Sequence, residues 1–198
     1  MEMRFYVDDG DVCDLRVAEL LEKYGFTGIF YIAPMNPQVK LMQPTDIKKL
    51  SEKHEIGAHG LSHTVLTRIN PYDRAQDVLM GRHLLEEIVG RSVHRFAYPR
   101  GWYNPEVLET IITAGFSEAR TMKQGVTEVE TFEGNFEIPV TVHFHPDHFH
   151  DWERLYRKAK ESAFGYFGVT CHGWELEKFQ LWGEYENMLK QIYADQIA

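Results

Sequence analysis

The feature that most limits what this chain can fold into is a repeated alternation of short β-branched and aromatic runs with longer amphipathic segments. Residues 3–7, 28–32, 55–58, 95–98, 118–121, 138–143 and 167–171 read as strands. Residues 12–24, residues 46–53 with Thr45 as N-cap, the segments opened by Asn70-Pro71 and Asn104-Pro105, and residues 152–162 and 180–193 read as helices. Strand-then-helix order requires a parallel sheet, either open and doubly wound or closed into a barrel, and periodicity alone does not choose between them. In both arrangements ligands bind beyond the C-terminal ends of the strands. No linker, low-complexity tract or repeat divides the chain, so a single domain over residues 1–198 is expected.

Composition removes several classes of function. With 21 basic and 30 acidic residues the net charge is −9, which lacks the basic footprint that nucleic acid demands. The longest weakly polar run, residues 26–35, is broken by Gly28 and Pro34 and is far shorter than the ~20 residues of a membrane helix. Three acids, Glu2, Asp8 and Asp9, occupy the first nine residues, where a secretory signal would be basic and then apolar, so a cytoplasmic location is expected. Cys13 and Cys171 are too few for a disulfide framework and suit a reduced compartment, with one bridge between them as the alternative.

The polar residues that follow each strand carry the chemistry. Asp8 and Asp9 follow the first, His59 and His63 the third, Tyr98, Pro99 and Arg100 the fourth, and His172 the last, while Arg120 lies in the fifth. In Asp8-Asp9-Gly10 one carboxylate can bind a divalent cation while its neighbour stays ionised and accepts a proton, although Asp-Gly is also a common turn. His59 and His63 form a His-x-x-x-His pair able to present two ring nitrogens to one metal, with Gly60 letting the backbone turn between them. Joined by an Asp from another strand end, such a pair makes a facial site of two histidines and one carboxylate with open positions. Tyr98, Trp102, Tyr103 and Trp174 are flat rings near the same mouth, suited to the apolar face of a sugar or to rim packing.

These motifs resemble the polysaccharide deacetylases with the NodB-homology domain, carbohydrate esterase family four. Phe5-Tyr6-Val7-Asp8-Asp9-Gly10 is similar to that family's Thr-Phe-Asp-Asp-Gly motif, and residues 55–66 to its His-x-x-x-His motif. Phe96-Ala97-Tyr98-Pro99-Arg100-Gly101 resembles the third motif, and Thr170-Cys171-His172-Gly173-Trp174 the last, in the family's order. The resemblance implies a distorted barrel of about seven parallel strands. It further implies one divalent metal ion, zinc foremost with cobalt, nickel or iron also suited, and hydrolysis of an N-acetyl or similar acyl group on a sugar of a glycan or glycan precursor. Asp9, His59 and His63 would then be ligands, Asp8 the general base toward a metal-bound water, and His172 the acid for the leaving amine. Tyr98, Pro99, Arg100, Trp102 and Trp174 would line the substrate.

The departures from the family pattern matter as well. Ala97 stands where the third motif usually has an Arg that contacts the base, Arg100 replaces the usual aromatic, and no Asp-x-x-Asp-Trp motif is visible. Either Arg120 or Arg100 is expected to restore the missing charge beside Asp8. These changes keep open a small amide or cyclic imide as substrate, and a non-catalytic metal- or carbohydrate-binding domain as a second alternative.

Other readings concern residues outside these motifs. His143, His145, His148 and His150, with Asp147 and Asp151, form a cluster that admits a second metal site or a substrate-side role. Ser62 and Cys171 each adjoin a candidate histidine, which raises a nucleophilic hydrolase. Leu176, Phe179, Leu181, Trp182, Tyr185, Met188, Leu189 and Ile192 form an apolar packing series that also suits a partner subunit; the oligomeric state is open.

Overall fold

The computed structural model describes residues 1–197. Seven strands, β1 (Glu2–Asp9), β2 (Gly28–Ile32), β3 (Glu55–Ala58), β4 (Arg95–Ala97), β5 (Glu118–Arg120), β6 (Val142–His143) and β7 (Tyr166–Cys171), form one sheet in the order β5-β4-β3-β2-β1-β7-β6. Every pairing is parallel. Helices α1 (Asp14–Lys23), α2 (Pro44–Leu50), α3 (Pro71–Val89), α4 (Pro105–Thr113), α5 (Trp152–Glu161), α6 (Gly173–Lys178) and α7 (Trp182–Gln196) complete the fold.

Strand alternation sorts side chains into two apolar layers, because successive residues point to opposite faces. Phe5 and Val7 of β1 and Phe30 and Ile32 of β2 join the larger core cluster, which also holds Val17 and Leu21 of α1 and Leu85 of α3. Tyr6 of β1 and Ile29 and Tyr31 of β2 join a smaller cluster with Tyr166, Ile138 and Val140. The concave interior is narrow enough that small residues must face large ones. A Cβ on Gly57 would sit 2.4 Å from the Tyr31 ring.

The sheet curls until its two edges share one segment. Near its start this segment bonds β5, through Ile138 N–H to Ala119 O at 3.0 Å and Thr121 N–H to Ile138 O at 2.8 Å. At its end it bonds β7, through Thr141 N–H to Gly168 O at 2.7 Å. The strand expected over residues 138–143 is therefore reduced to β6, with Ile138 making one isolated bridge to Arg120. Pro139, which has no N–H, lies where the segment changes partner. The result is the distorted α/β barrel that the resemblance implied.

Two helix starts follow the expected chemistry. The side chain of Asn70 accepts from Asp73 N–H at 3.0 Å and that of Asn104 from Val107 N–H at 2.9 Å, each followed by a proline. The expected cap at Thr45 is corrected: α2 starts earlier, capped by Gln43 in a reciprocal box with Asp46, because Pro44 is pre-set for the first helical position. The helix expected over residues 180–193 is α7, and a short helix not expected from the sequence, α6, precedes it, with the backbone turning between them at Gln180, φ 57°.

Candidate active site

The C-terminal strand ends bring Asp8, Asp9, His59, His63, Arg120 and His172 to one mouth. Asp9 ends β1 with φ 84°, and His63, in the loop after β3, has φ 58°. Non-glycine residues rarely hold this conformation, and it persists where surrounding structure enforces it. Here it turns Asp9 Oδ1 toward His63 Nε2 at 3.4 Å and His59 Nε2 at 3.8 Å. The ligating atoms of the three lie within 4.8 Å of one another.

Their protonation suits a metal. The His59 Nδ1–H donates to the Ala97 carbonyl at 2.7 Å, since that oxygen only accepts, and this leaves Nε2 with a free lone pair facing Asp9. Burial holds the His59 imidazole at about 4 and lowers that of His63, so both stay neutral. Asp9 Oδ2 accepts from Trp174 Nε1 at 2.9 Å, while the buried Oδ1 has no hydrogen-bond partner. An orphaned buried carboxylate oxygen between two bare imidazole nitrogens fits a divalent cation.

The loop carrying the two histidines is tied down by Asp77 of α3, a residue the sequence reading missed. Asp77 Oδ1 accepts from Leu61 N–H at 2.9 Å and Oδ2 from Ser62 Oγ at 3.1 Å. Helix α3 comes so close that a Cβ on Gly81 would stand 2.4 Å from Gly60 O. These contacts also dispose of the nucleophile readings. Ser62 bonds Asp77 and Thr64, with no histidine in hydrogen-bond contact. Cys171 is fully buried and burial pushes its thiol well above the usual range. Both cysteines are free.

Of the two arginines proposed to replace the motif residue, Arg120 is the one beside Asp8. Its Nη2 donates to Asp8 Oδ2, and both side chains are almost wholly buried. Ala97 sits directly opposite Arg120 in the β4–β5 register, so the charge arrives from the neighbouring strand. Burial alone would push the Asp8 carboxyl up. The charge of Arg120, the charge of His172 and the Arg120 hydrogen bond outweigh it and hold Asp8 below the usual carboxylate range. Thr170 Oγ1 donates to the same oxygen at 3.3 Å. Arg100 instead donates to Gln38 Oε1 at 3.0 Å and is exposed.

His172 stands beside the two carboxylates, with Nε2 at 3.9 Å from both Asp8 Oδ2 and Asp9 Oδ2. Its Nδ1 is 2.8 Å from Glu175 Oε2, which also meets His143 Nε2 at 3.0 Å. Burial works to lower the His172 imidazole, but the Glu175 hydrogen bond and the charges of Asp9 and Asp8 raise it to about 9. Glu175 in turn is held well below the carboxylate range against its burial by the two histidines. Neither Glu175 nor His143 was assigned this place from sequence. The only signal was an acid three residues after the histidine.

The site opens into a cavity of about 350 Å³ whose walls include Tyr98, Arg100, Met122 and Trp174. Trp102, half exposed, lines an adjoining groove of about 590 Å³. Pro99 is a correction: it is buried and lines neither hollow. Tyr98 is stacked on Tyr103 at 4.8 Å and donates to Phe136 O at 3.0 Å. Of the histidine cluster, only His143 reaches the site. The His143 ring stacks on those of His145 and His148 at 5.5 and 5.8 Å, the latter two are tilted to each other at 5.6 Å, and His150 packs on Phe149. Among the described residues, His145, His148 and His150 join no group with metal-ligand geometry.

The comparisons agree with this geometry. A family model described as polysaccharide deacetylase matches residues 4–119, more than half of the chain, and the chain belongs to that family. No curated protein matches. Among solved structures, peptidoglycan deacetylase PdaC from Bacillus subtilis, a D285S mutant, is 15% identical with TM-score 0.65, covering 98% of this chain and 83% of its own. Deacetylase PplD from Streptococcus pyogenes, in complex with acetate, is 14% identical with TM-score 0.62 over 70% of this chain and 64% of its own. A family-four pseudoenzyme from Bacillus anthracis is 15% identical with TM-score 0.64 over 98% of this chain and 60% of its own. The chain thus spans under two thirds of the last two, and at these identities the likeness is one of fold.

Proposed function

We propose that this chain is a metal-dependent deacetylase that hydrolyses the N-acetyl or a similar acyl amide of a sugar, in a glycan or a glycan precursor. The observation that carries the reading is that the Asp9–His59–His63 donor triad has both a buried acid–arginine pair and a carboxylate-held histidine beside it. Asp9, His59 and His63 would hold the ion. Zinc suits two imidazoles and a carboxylate, as do cobalt, nickel and iron. Bound there, the ion supplies Lewis-acid polarisation of the acyl oxygen and lowers the pKa of water.

The protein residues divide the proton transfers. Asp8, kept ionised by Arg120, accepts the proton of the attacking water, and Arg120 and Thr170 fix Asp8 Oδ2 while Oδ1 remains free to act. His172 presents Nε2 to the mouth and gives a proton to the departing amine, with Glu175 holding Nδ1–H so that the ring stays aimed and charged. A pure binding domain needs neither group. That PplD was seen with acetate accords with a site of this family receiving an acetyl product.

Acetate release from a panel of N-acetylhexosamine compounds by metal-reconstituted protein tests the reading. Release that stops on chelation and returns with zinc or cobalt is expected. Stoichiometric metal with no release from any compound would oppose it and favour another amide or a binding role.

A further inference from the structure

The distribution of charge in the groove beside the metal triad carries an inference about the substrate. Of the eleven arginines, all but Arg68, Arg91 and Arg100 form an ion pair with a carboxylate among the described residues. Arg91 is engaged with the backbone, donating to Ser51 O at 2.7 Å. The remaining two both line the 590 Å³ groove, together with Trp102, and no Asp or Glu lines it. In a chain of net charge −9, two arginines without carboxylate partners in an acid-free groove are a local reversal of sign.

Their placement is constrained. The Arg68 guanidinium lies 4.7 Å over the Trp102 ring. Arg100 is held at φ 58°, one of four non-glycine residues with positive φ among the described residues, and two of the others are Asp9 and His63. That conformation sets Arg100 where the groove meets the metal cavity, since Gln38, His63 and Arg100 line both. The two hollows are thus continuous, and a substrate with its acyl amide at the triad that runs along the groove passes Arg100 and reaches Arg68 and Trp102.

We propose that the groove formed by Arg68, Arg100 and Trp102 binds an oxyanion, a phosphate or a carboxylate, borne by the substrate next to its acylated sugar. This rests on the deacetylase reading above. The planar guanidinium forks match such oxyanions, and the exposed Trp102 ring offers a face to the sugar that carries them.

The test compares kcat/KM for a neutral N-acetylhexosamine disaccharide, an N-acetylhexosamine 1-phosphate and a disaccharide of N-acetylhexosamine with a hexuronic acid. One charged compound is expected to be preferred. Its advantage over the neutral compound falls about 10-fold or more in Arg68→Gln and in Arg100→Gln. It is unchanged in Arg157→Gln, a surface control on α5. Which arm shows the effect tells phosphate from carboxylate, and equal handling of all three compounds, or the same ratio in wild type and both groove variants, overturns the proposal. If no compound releases acetate, titrating the sugar 1-phosphate into metal-loaded protein separates the two readings. Binding lost in the Arg68→Gln/Arg100→Gln double variant upholds the oxyanion site while the deacetylase reading fails; no binding, or binding indifferent to the arginines, overturns the site.

Discussion

At the residue scale the most informative substitution is one the chain already contains. Ala97 lacks the charge that the family motif places beside the base, and Arg120, its neighbour across β4 and β5, supplies it. Because the Asp8–Arg120 pair is buried, removing one partner leaves a lone charge. Arg120→Met is expected to cost about 3–5 kcal/mol in urea unfolding, and Asp8→Asn/Arg120→Met to recover much of that loss. A double variant no more stable than Arg120→Met would contradict the pairing. Glu175→Gln is expected to lower kcat roughly 10- to 100-fold with metal content unchanged, since Glu175 orders His172 and touches no ligand of the triad. Metal analysis alongside steady-state rates checks this. Asp8, Asp9, His59 and His172 were legible in the sequence because each stands at or next to a strand end, and His63 because it follows His59 at His-x-x-x-His spacing. Asp77 and Glu175 were not, because their partners are chosen by the approach of α3 and α6 to the mouth.

At the element scale, His54 joins β2 to the segment before β3: its Nδ1 accepts from Gly28 N–H at 3.1 Å, a bond that requires a neutral ring. Burial lowers its pKa, against the pull of Glu22. The unfolded chain therefore takes up the proton first as pH falls through about 6.5, so the stability His54 confers is present above that pH and lost below it. His54→Asn keeps an acceptor without a titration, and should flatten the fall in unfolding free energy between pH 7 and pH 5, with His59, His63 and His143 leaving a residual slope. An unaltered slope in urea titrations would count against this linkage. Gly81→Ala would force α3 off the Gly60 carbonyl, with an expected cost of about 1–3 kcal/mol. Weaker metal binding should accompany it, because His59 and His63 flank that turn; calorimetric metal titration is the check. The asparagine–proline helix starts could be read from local chemistry. Residues 138–143 could not, because their partner changes from β5 to β7 within the segment, and α6 is too short to show a period.

At the scale of the molecule, the parallel order predicted which end of the barrel to search, and volume alone would have misled. A hollow of about 810 Å³ lies at the N-terminal strand ends, yet the charges of Arg4 and Arg95 on its wall are engaged by Glu2, Glu55 and Glu118. The opposite mouth is smaller and holds the orphaned Asp9 oxygen. No described helix is long and apolar enough to cross a membrane. A cation in the triad couples the strand ends to global stability, so saturation at 100 times Kd is expected to add about 2.7 kcal/mol to the unfolding free energy, lost again on chelation.

The measurement that bears most directly on the assignment is metal content and acetate release taken on the same preparations of wild type, Asp8→Asn and Asp9→Asn. The geometry predicts that Asp8→Asn keeps its metal while turnover falls at least about 100-fold, and that Asp9→Asn loses both. Undiminished release from Asp8→Asn, or full metal occupancy of wild-type affinity in Asp9→Asn, would contradict the division of roles between these adjacent carboxylates.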